Sequence, residues 1–345
     1  MNKKRLTMKE IARLANTSRS TVSRVISDSP RISDEVKKRV RAIIEQTGFR
    51  PNISAQSLRG SSTGQIVILL NRLSHGVLPN MAQGVDDVIR AHNLHTLCCF
   101  AHGPKDYIKL WQRYARSGEV YGVILIAPPL SLLAEPYAVN ECPAVLCACH
   151  PGNNRKGWRK ADSVSMNNRK AINDLLARLV EKNCKSIAFL ASQSDVYDNA
   201  NRCQAFLDFL ATKTTITGQI VRSPETYQDT RALIAKWFDS GNNLPDAFVC
   251  FSDDIALAVF DSLHEKNIKV PRDVALTGFD DILLAQFLGI STVRVPSFEM
   301  GQEAAKLLLS RIHSDSPAPA VRNSIFELEN RFRNSSEFGQ PGPGI

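Results

Sequence analysis

Arginine and hydroxyl side chains are concentrated in one short stretch near the start of the chain, Thr17–Ile26, which reads TSRSTVSRVI. Its apolar residues Val22, Val25 and Ile26 recur at helical spacing, so the arginines fall on the opposite face of the same helix. A guanidinium donates two parallel hydrogen bonds to the edge of guanine, and short hydroxyls bind bases or phosphates. The stretch therefore has the chemistry of a helix that reads DNA. Its candidate base contacts are Arg19, Ser20, Ser23 and Arg24, and its candidate phosphate contacts are Thr17, Ser18 and Thr21.

The neighbouring sequence predicts two more helices that would hold this one in place. Thr7 opens a capping box, TMKE, at the start of a first short helix, and we also count it among the DNA contacts. Asn16 tolerates the left-handed conformation of a tight turn, after which Thr17 or Ser18 caps the second helix. Ser33 caps a third helix with an apolar inner stripe. This order predicts a helix-turn-helix head.

The net positive charge of the chain comes entirely from this region. The 345 residues carry a net charge of +9, and residues 1–60 contain 14 Lys and Arg against 5 Asp and Glu. The remaining residues contain 29 of each sign. A basic module on a neutral body favours a polyanionic partner for that module alone. The alternative, a solvated basic face on a small three-helix bundle, explains neither the turn nor the segregated charge.

The stretch from Thr7 to Gly60 also resembles the head of the lactose-repressor/galactose-repressor family. The similarity lies in TVSRV, in RIS before the third helix, in GFRPN, and in the final AQSLRG. It implies that the first residues of the second helix, Arg19 and Ser20, read bases, with Arg24 one turn later. Asn16 replaces the glycine that the family usually has before that helix.

Residues 51–60 are expected to form a hinge within a head that spans residues 1–60. Asn52 can cap a short helix there, which is too short to be stable alone in water. The resemblance implies that Leu58 is an apolar wedge in the minor groove and that Ala55 packs against it or its mate. An ordinary contact between domains is the alternative for Leu58.

Residues 61–333 alternate apolar strands with helical segments, which predicts an α/β body with doubly wound parallel sheets. The resemblance extends through this region and implies the two-lobed type I periplasmic-binding-protein architecture. We expect lobe one at about 64–162 plus a segment near 295–320, and lobe two at about 163–292 plus the C-terminal strand. Residues 334–345 are rich in Gly, Pro and Ser and are predicted to be disordered.

Ligands of such sheets bind beyond the carboxyl ends of the strands, which here means the cleft between the lobes. Arg202 and Asp280 match the Arg and Asp that grip the effector in the family, and Ser252–Asp253 replaces its usual Asn-Asp pair. The alternatives are a surface ion pair for the arginine and helix N-terminal positions for the aspartates. The complete set of effector-binding candidates is Asn71, His75, Asn168, Arg202, Ser252, Asp253 and Asp280.

Several function classes are disfavoured by the sequence. None of the eight cysteines forms a CxxC pair, and we expect no metal, no cofactor and a reducing cytoplasmic location. No apolar run spans a membrane, and the basic N-terminus lacks the apolar segment of a secretion signal. Phosphate-binding glycine loops and nucleophile elbows are absent, so the chain is not expected to be an enzyme.

The sequence therefore predicts a DNA-binding transcription regulator, most often a repressor of carbohydrate or related metabolic genes. Its expected partners are a palindromic double-stranded operator, a second copy of the chain, and a small-molecule effector such as a sugar or sugar derivative. One alternative is a solute-binding protein with the same core fold. Another is a regulator that no longer responds to an effector.

Overall fold

The computed structural model describes residues 8–26, 29, 31–47, 65–71, 77–135, 142–152, 157–313 and 320–340. The chain divides into two compact units, Met1–Thr63 and Gly64–Ile345. These are the head and the body, and each is a separate structural unit with its own apolar core.

The head contains three helices: α1 (Met8–Leu14), α2 (Arg19–Ile26) and α3 (Asp34–Thr47). The side chains that point inward are small or β-branched, and six of them are buried together: Ile11, Ala12, Ala15, Val22, Val25 and Val40. Asn16 has a φ of 48°, so the left-handed turn between α1 and α2 is confirmed. The predicted helix-turn-helix is present.

The first lobe of the body is built on a six-stranded parallel sheet in the order β11-β5-β4-β3-β1-β2. Its strands are β1 (Gln65–Leu70), β2 (His95–Phe100), β3 (Gly122–Ile126), β4 (Ala144–Cys147), β5 (Asp162–Met166) and β11 (Asn323–Phe326). Its helices are α4 (Val77–Ala91), α5 (Pro104–Ser117) and α11 (Ser297–Ile312). The central strand β3 is buried along its whole length, which explains its continuous apolar sequence GVILI.

The second lobe contains a four-stranded parallel sheet in the order β7-β6-β8-β9. Its strands are β6 (Ser186–Ser192), β7 (Thr217–Ser223), β8 (Ala247–Cys250) and β9 (Ala275–Thr277). Its helices are α6 (Asn168–Glu181), α7 (Tyr197–Ala211), α8 (Tyr227–Asp239), α9 (Asp253–Glu265) and the short α10 (Leu283–Phe287). An antiparallel pair, β10 (Thr292–Arg294) and β12 (Glu329–Arg331), lies where the chain passes between the lobes. The predicted α/β class is confirmed.

The predicted lobe boundaries need two corrections. Residues 162–166 form β5 of the first sheet, so lobe two begins at about residue 167 rather than 163. Strand β11 also belongs to the first sheet, next to β5, so the second segment of lobe one extends past residue 320, whereas the last strand, β12, pairs with β10. The buried carboxylate of Asp162 accounts for both, because it accepts hydrogen bonds from Arg311 and Arg322 and so joins the start of β5 to α11 and the approach to β11.

The prediction of a disordered tail is wrong for residues 334–340. Asn334–Ser336 forms a 3₁₀ turn in which Ser335 and Ser336 are buried. The Ser335 hydroxyl donates to the carbonyl of Leu276 at 2.5 Å, and Glu337 forms ion pairs with Arg178 and Lys182. The serines that suggested disorder thus fix this segment to the second lobe. Residues 341–345 lie outside the described residues.

No helix in the described part of the chain has the length and apolar content needed to cross a membrane.

Helices α4 and α11 cross at very short range, and this contact requires glycine. A Cβ added to Gly301 would lie 2.0 Å from the carbonyl oxygen of Met81, and one added to Gly84 would lie 2.0 Å from that of Phe298. The two helices therefore pack backbone to backbone. Since α11 leads from the second lobe to the first sheet, their crossing fixes the path of the chain between the lobes.

We expect Gly301→Ala to lower the free energy of unfolding by about 1–3 kcal/mol, because the helices must separate to admit the methyl group. Denaturant unfolding of the full chain measures this change. Lys306→Ala, at an exposed position of the same helix, is the control and should change stability by less than about 0.5 kcal/mol. Equal stability of Gly301→Ala and wild type would show that the crossing is not tightly packed.

Candidate functional site

Helix α2 presents a polar face opposite the buried Val22 and Val25. Arg19, Ser20 and Arg24 are exposed on it. Thr17, Thr21 and Ser23 are half-buried. The face thus offers two guanidinium groups and several hydroxyls to a partner, as the sequence predicted.

Ser18 is the N-terminal cap of α2. Its Oγ accepts a hydrogen bond from the Thr21 amide at 3.1 Å and lies 2.7 Å from the Ser20 hydroxyl and 2.8 Å from the Thr21 hydroxyl. The hydroxyls at the start of the helix are therefore linked to one another. A phosphate at this end would meet this group of hydroxyls together with the positive end of the helix dipole.

Four of the predicted DNA contacts, Thr7, Asn52, Ala55 and Leu58, lie outside the described residues, as does the whole hinge at 51–60.

The body contains a cavity of about 640 Å³ at the carboxyl ends of both sheets. Its volume lies in the range of small-molecule sites, which is about 300–1,000 Å³. Asn71 follows β1, Phe251 and Ser252 follow β8, and Asp280 follows β9, so the ends of strands from both lobes line it. Arg202 enters from α7. The cleft predicted from the strand ends is thus present.

Arg202 is the central polar group of this cavity. The residue is 3% exposed, and its Nε donates to the Asn168 side-chain oxygen at 2.9 Å while Nη1 donates to the Phe251 carbonyl at 2.7 Å. Its guanidinium carbon lies 3.3 Å from the centre of the Phe279 ring. Burial lowers the pKa of Arg202, and the nearby carboxylates, Asp198 first among them, act in the opposite direction. A surface ion pair, the alternative drawn from the sequence, is not what this arginine makes.

Asn168 does not line the cavity, although the sequence placed it among the effector contacts. It is fully buried and lies between two charged side chains, because its oxygen accepts from Arg202 and its amide nitrogen donates to Asp198 Oδ1 at 2.8 Å. Its role in this structure is to orient Arg202.

Asp198 lines the cavity and was not predicted from the sequence. It is 6% exposed and lies in the first turn of α7, one helical turn before Arg202. Burial raises the pKa of Asp198, whereas Arg202 and the hydrogen bond from Asn168 oppose that shift. Asp198 precedes Arg202 by four residues on the same helix, and this spacing could have predicted from the sequence that the two side chains are neighbours.

Ser252 and Asp253 have different positions. Ser252 lines the cavity and caps α9, where its side chain accepts from the Ile255 amide. Asp253 is not among the lining residues: its carboxylate is fully buried and accepts from the Thr292 hydroxyl at 2.6 Å and from the Ile282 amide at 2.9 Å. Asp253 is therefore corrected from an effector contact to a support of the loop that carries Asp280.

Asp280 lines the cavity in a backbone conformation that few residues other than glycine adopt. Its φ is 118° and that of Asp281 is 61°. The loop is held by Asp253 from one side and by Arg333, which donates to Asp281 at 2.5 Å, from the other. The structure thus fixes the Asp280 carboxylate in the site at the cost of local backbone strain.

Asn71 also lines the cavity, and its buried side-chain oxygen has no hydrogen-bond partner among the residues that the structure describes. His75 lies outside the described residues. Within the described residues, no three His, Cys, Asp or Glu side chains are close enough together to hold a metal ion.

Comparison with known proteins gives the same two units. Residues 7–52 match the family model of bacterial regulatory proteins of the lacI family, and residues 176–336 match that of a periplasmic binding protein-like domain. The chain is 29% identical over 336 residues to the HTH-type transcriptional regulator RegA of Clostridium saccharobutylicum, with 94% of this chain and 98% of RegA covered.

Two solved structures share the fold. A complex of the transcriptional regulator CelR with cellobiose aligns with a TM-score of 0.68 at 23% identity, covering 96% of this chain and 100% of that one. The lac repressor dimer bound to operator and the anti-inducer ONPF aligns with a TM-score of 0.77 at 17% identity, covering 96% of this chain and 99% of that one.

The buried carboxyl of Asp253 makes stability depend on pH. Burial raises its pKa to about 7, whereas an unfolded Asp has a pKa of about 3.9. Between these values the folded chain holds a proton that the unfolded chain has released. This group's contribution to stability is therefore complete below about pH 4 and is lost as the pH rises through about 7.

In the wild type, we expect Asp253 to make the free energy of unfolding fall by up to about 1.4 kcal/mol for each unit of pH rise over this range. Asp253→Asn cannot titrate and should lose this part of the pH dependence. Denaturant unfolding of both proteins from pH 4 to 8 measures the slope. Asp239→Asn removes an exposed carboxylate at the end of α8 and is the control. Parallel profiles for Asp253→Asn and wild type would contradict the assignment.

Proposed function

Because the chain belongs to the lacI family of bacterial regulatory proteins, we propose that it is a sequence-specific DNA-binding transcription regulator, acting as a repressor of carbohydrate or related metabolic genes. The observation that carries this proposal is the match of both units to that family's parts, a lacI-type head and a periplasmic binding protein-like body. The exposed Arg19, Ser20 and Arg24 on α2 support DNA readout by the head.

A small-molecule effector bound in the body cavity controls DNA binding. The cavity has the size and the mixed polar and apolar lining of a ligand site. CelR holds cellobiose and the lac repressor holds ONPF, which favours a sugar or sugar derivative as the effector here. The effector acts by stabilising one arrangement of the two lobes over the other, and it therefore shifts operator affinity by its differential affinity for the two arrangements.

The protein acts as a homodimer on a palindromic operator in the cytoplasm. The lac repressor structure that it resembles is a dimer on operator DNA. A two-fold symmetric protein places two heads on two half-sites, which doubles the number of contacts without new chemistry.

An enzymatic role and a solute-binding role are the other candidates, and both are disfavoured. The described residues that line the cavity combine carboxylates and one guanidinium with no metal cluster or nucleophile–base pair among them. A solute-binding protein has no use for the basic head.

We expect Arg19→Ala and Arg24→Ala each to reduce discrimination at one operator position by about 1–3 kcal/mol, because each removes a fork of donors to a base edge. Selection of binding sites from randomised DNA, followed by titration of the selected site and its single-base variants, measures this loss.

Arg13→Ala, which removes an exposed cation from α1, is the control and should weaken binding to all sequences alike. Full retention of the wild-type base preference in both α2 variants would remove these arginines from readout. A wild-type chain that selects no sequence would overturn the proposed function itself.

A further inference from the structure

Two acceptors of the cavity wall lack a donor among the described residues. The Asn71 side-chain oxygen, from the first lobe, is buried and has no hydrogen-bond partner in this part of the chain. A buried acceptor without a donor costs about 1–3 kcal/mol, so this oxygen calls for a donor from a ligand. Asp198, from the second lobe, accepts from Asn168 through Oδ1, and no described residue donates to its Oδ2, which is therefore available to a ligand in the cavity.

The charge around these acceptors is predominantly negative. Of the charged side chains that line the cavity in the described residues, four are carboxylates, Asp195, Asp198, Glu225 and Asp280, and one is the guanidinium of Arg202. That guanidinium is already stacked on Phe279 and donates to two protein oxygens, so it has little left to offer an anion.

Asp195 lies two residues before α7, and Asp198 lies in the first turn of that helix. One Asp195 oxygen accepts from the Ser131 amide at 3.1 Å, and the other has no partner among the described residues. Two half-satisfied carboxylates at one end of the cavity form a binding site for a group that supplies several donors and a positive charge.

Resting on the proposed function, we propose that the effector is a polyhydroxylated amine, such as an amino sugar, whose ammonium group binds at Asp195 and Asp198. An ammonium has three donors and no acceptor, which fits a subsite made of acceptors alone. Hydrogen bonds between charged partners are shorter and about twice as strong as those between neutral groups. A hydroxyl of the ligand donates to the Asn71 oxygen.

This geometry discriminates between three classes of ligand. A neutral sugar satisfies the acceptors but leaves uncompensated the excess of four carboxylates over the single guanidinium of Arg202. A phosphorylated or carboxylated sugar places a second negative charge beside the carboxylates and is rejected. The amine alone supplies both the donors and the charge.

The experiment measures thermal unfolding of the full chain with matched ligand pairs: D-glucosamine against D-glucose, D-galactosamine against D-galactose, and D-gluconate as the anion. The same measurement is made with polar metabolites of a bacterial extract, separated at neutral pH into cationic, neutral and anionic fractions. A ligand that binds the folded chain raises the midpoint in proportion to its affinity.

We expect the compound that raises the unfolding midpoint to be found in the cationic fraction. Within the ligand pair that binds, we expect the amino sugar to have an affinity at least about tenfold higher than that of the neutral sugar. Asp198→Asn keeps the oxygen that accepts from Asn168 but removes the charge, and it should abolish this preference. Asp195→Asn, at an exposed position, is a second variant that should weaken it. Asp208→Asn removes the same charge from the outer part of α7, where Asp208 pairs with Arg169, and should leave the preference intact.

A stabilising compound in the neutral or anionic fraction would overturn the inference, and so would the absence of stabilisation by every fraction and pair. Undiminished preference for the amine in both Asp198→Asn and Asp195→Asn would also overturn it. Selection of a specific DNA sequence by the same protein separates these outcomes from failure of the proposed function, because DNA selection does not depend on the ligand.

Discussion

The body of this protein is organised around one buried cation, the guanidinium of Arg202. A charge that is 3% exposed must be compensated by fixed partners, because water cannot solvate it. Asn168 at the start of α6, the Phe251 carbonyl after β8 and the Phe279 ring after β9 meet this need from three different elements. Arg202 therefore links three elements at the carboxyl end of the second sheet, and these contacts fix the shape of this side of the cavity.

The loop that carries Asp280 depends on a second layer of contacts behind the first. Two consecutive residues with positive φ cost conformational energy, and that cost is offset by the hydrogen bonds of Asp253 and Arg333. Gly278 is part of the same arrangement, because a Cβ there would lie 2.0 Å from an Asp253 oxygen. Asp280 and Asp253 both follow apolar strands in the sequence, but they have different roles. Asp280 lines the cavity, whereas Asp253 is buried behind it and supports the loop that carries Asp280.

Those different roles mark the limit of what the sequence predicts. Apolar runs predicted β1, β3, β6 and β8 because strands buried on both faces are continuous in hydrophobicity. They could not predict β5, whose sequence DSVSM is largely polar although the strand is buried. Its polar groups are satisfied by tertiary contacts: Asp162 accepts hydrogen bonds from Arg311 and Arg322. The Ser163 hydroxyl donates to the side-chain oxygen of Asn323. The same reason applies to the site: a motif identifies residues near the strand ends, but only tertiary contacts decide which of them face inward.

The two units also differ in how their electrostatic interactions respond to the solvent. The arginines of α2 that face a partner are exposed, so their attraction to phosphates is screened over about 8–10 Å at physiological salt. Arg202 and Asp198 line the cavity but are almost fully buried, so dissolved ions screen them little. Ionic strength therefore modulates DNA affinity strongly and the internal geometry of the ligand site weakly. Segregating the excess positive charge into the head keeps the electrostatics of polyanion recognition separate from the electrostatics of the body cavity.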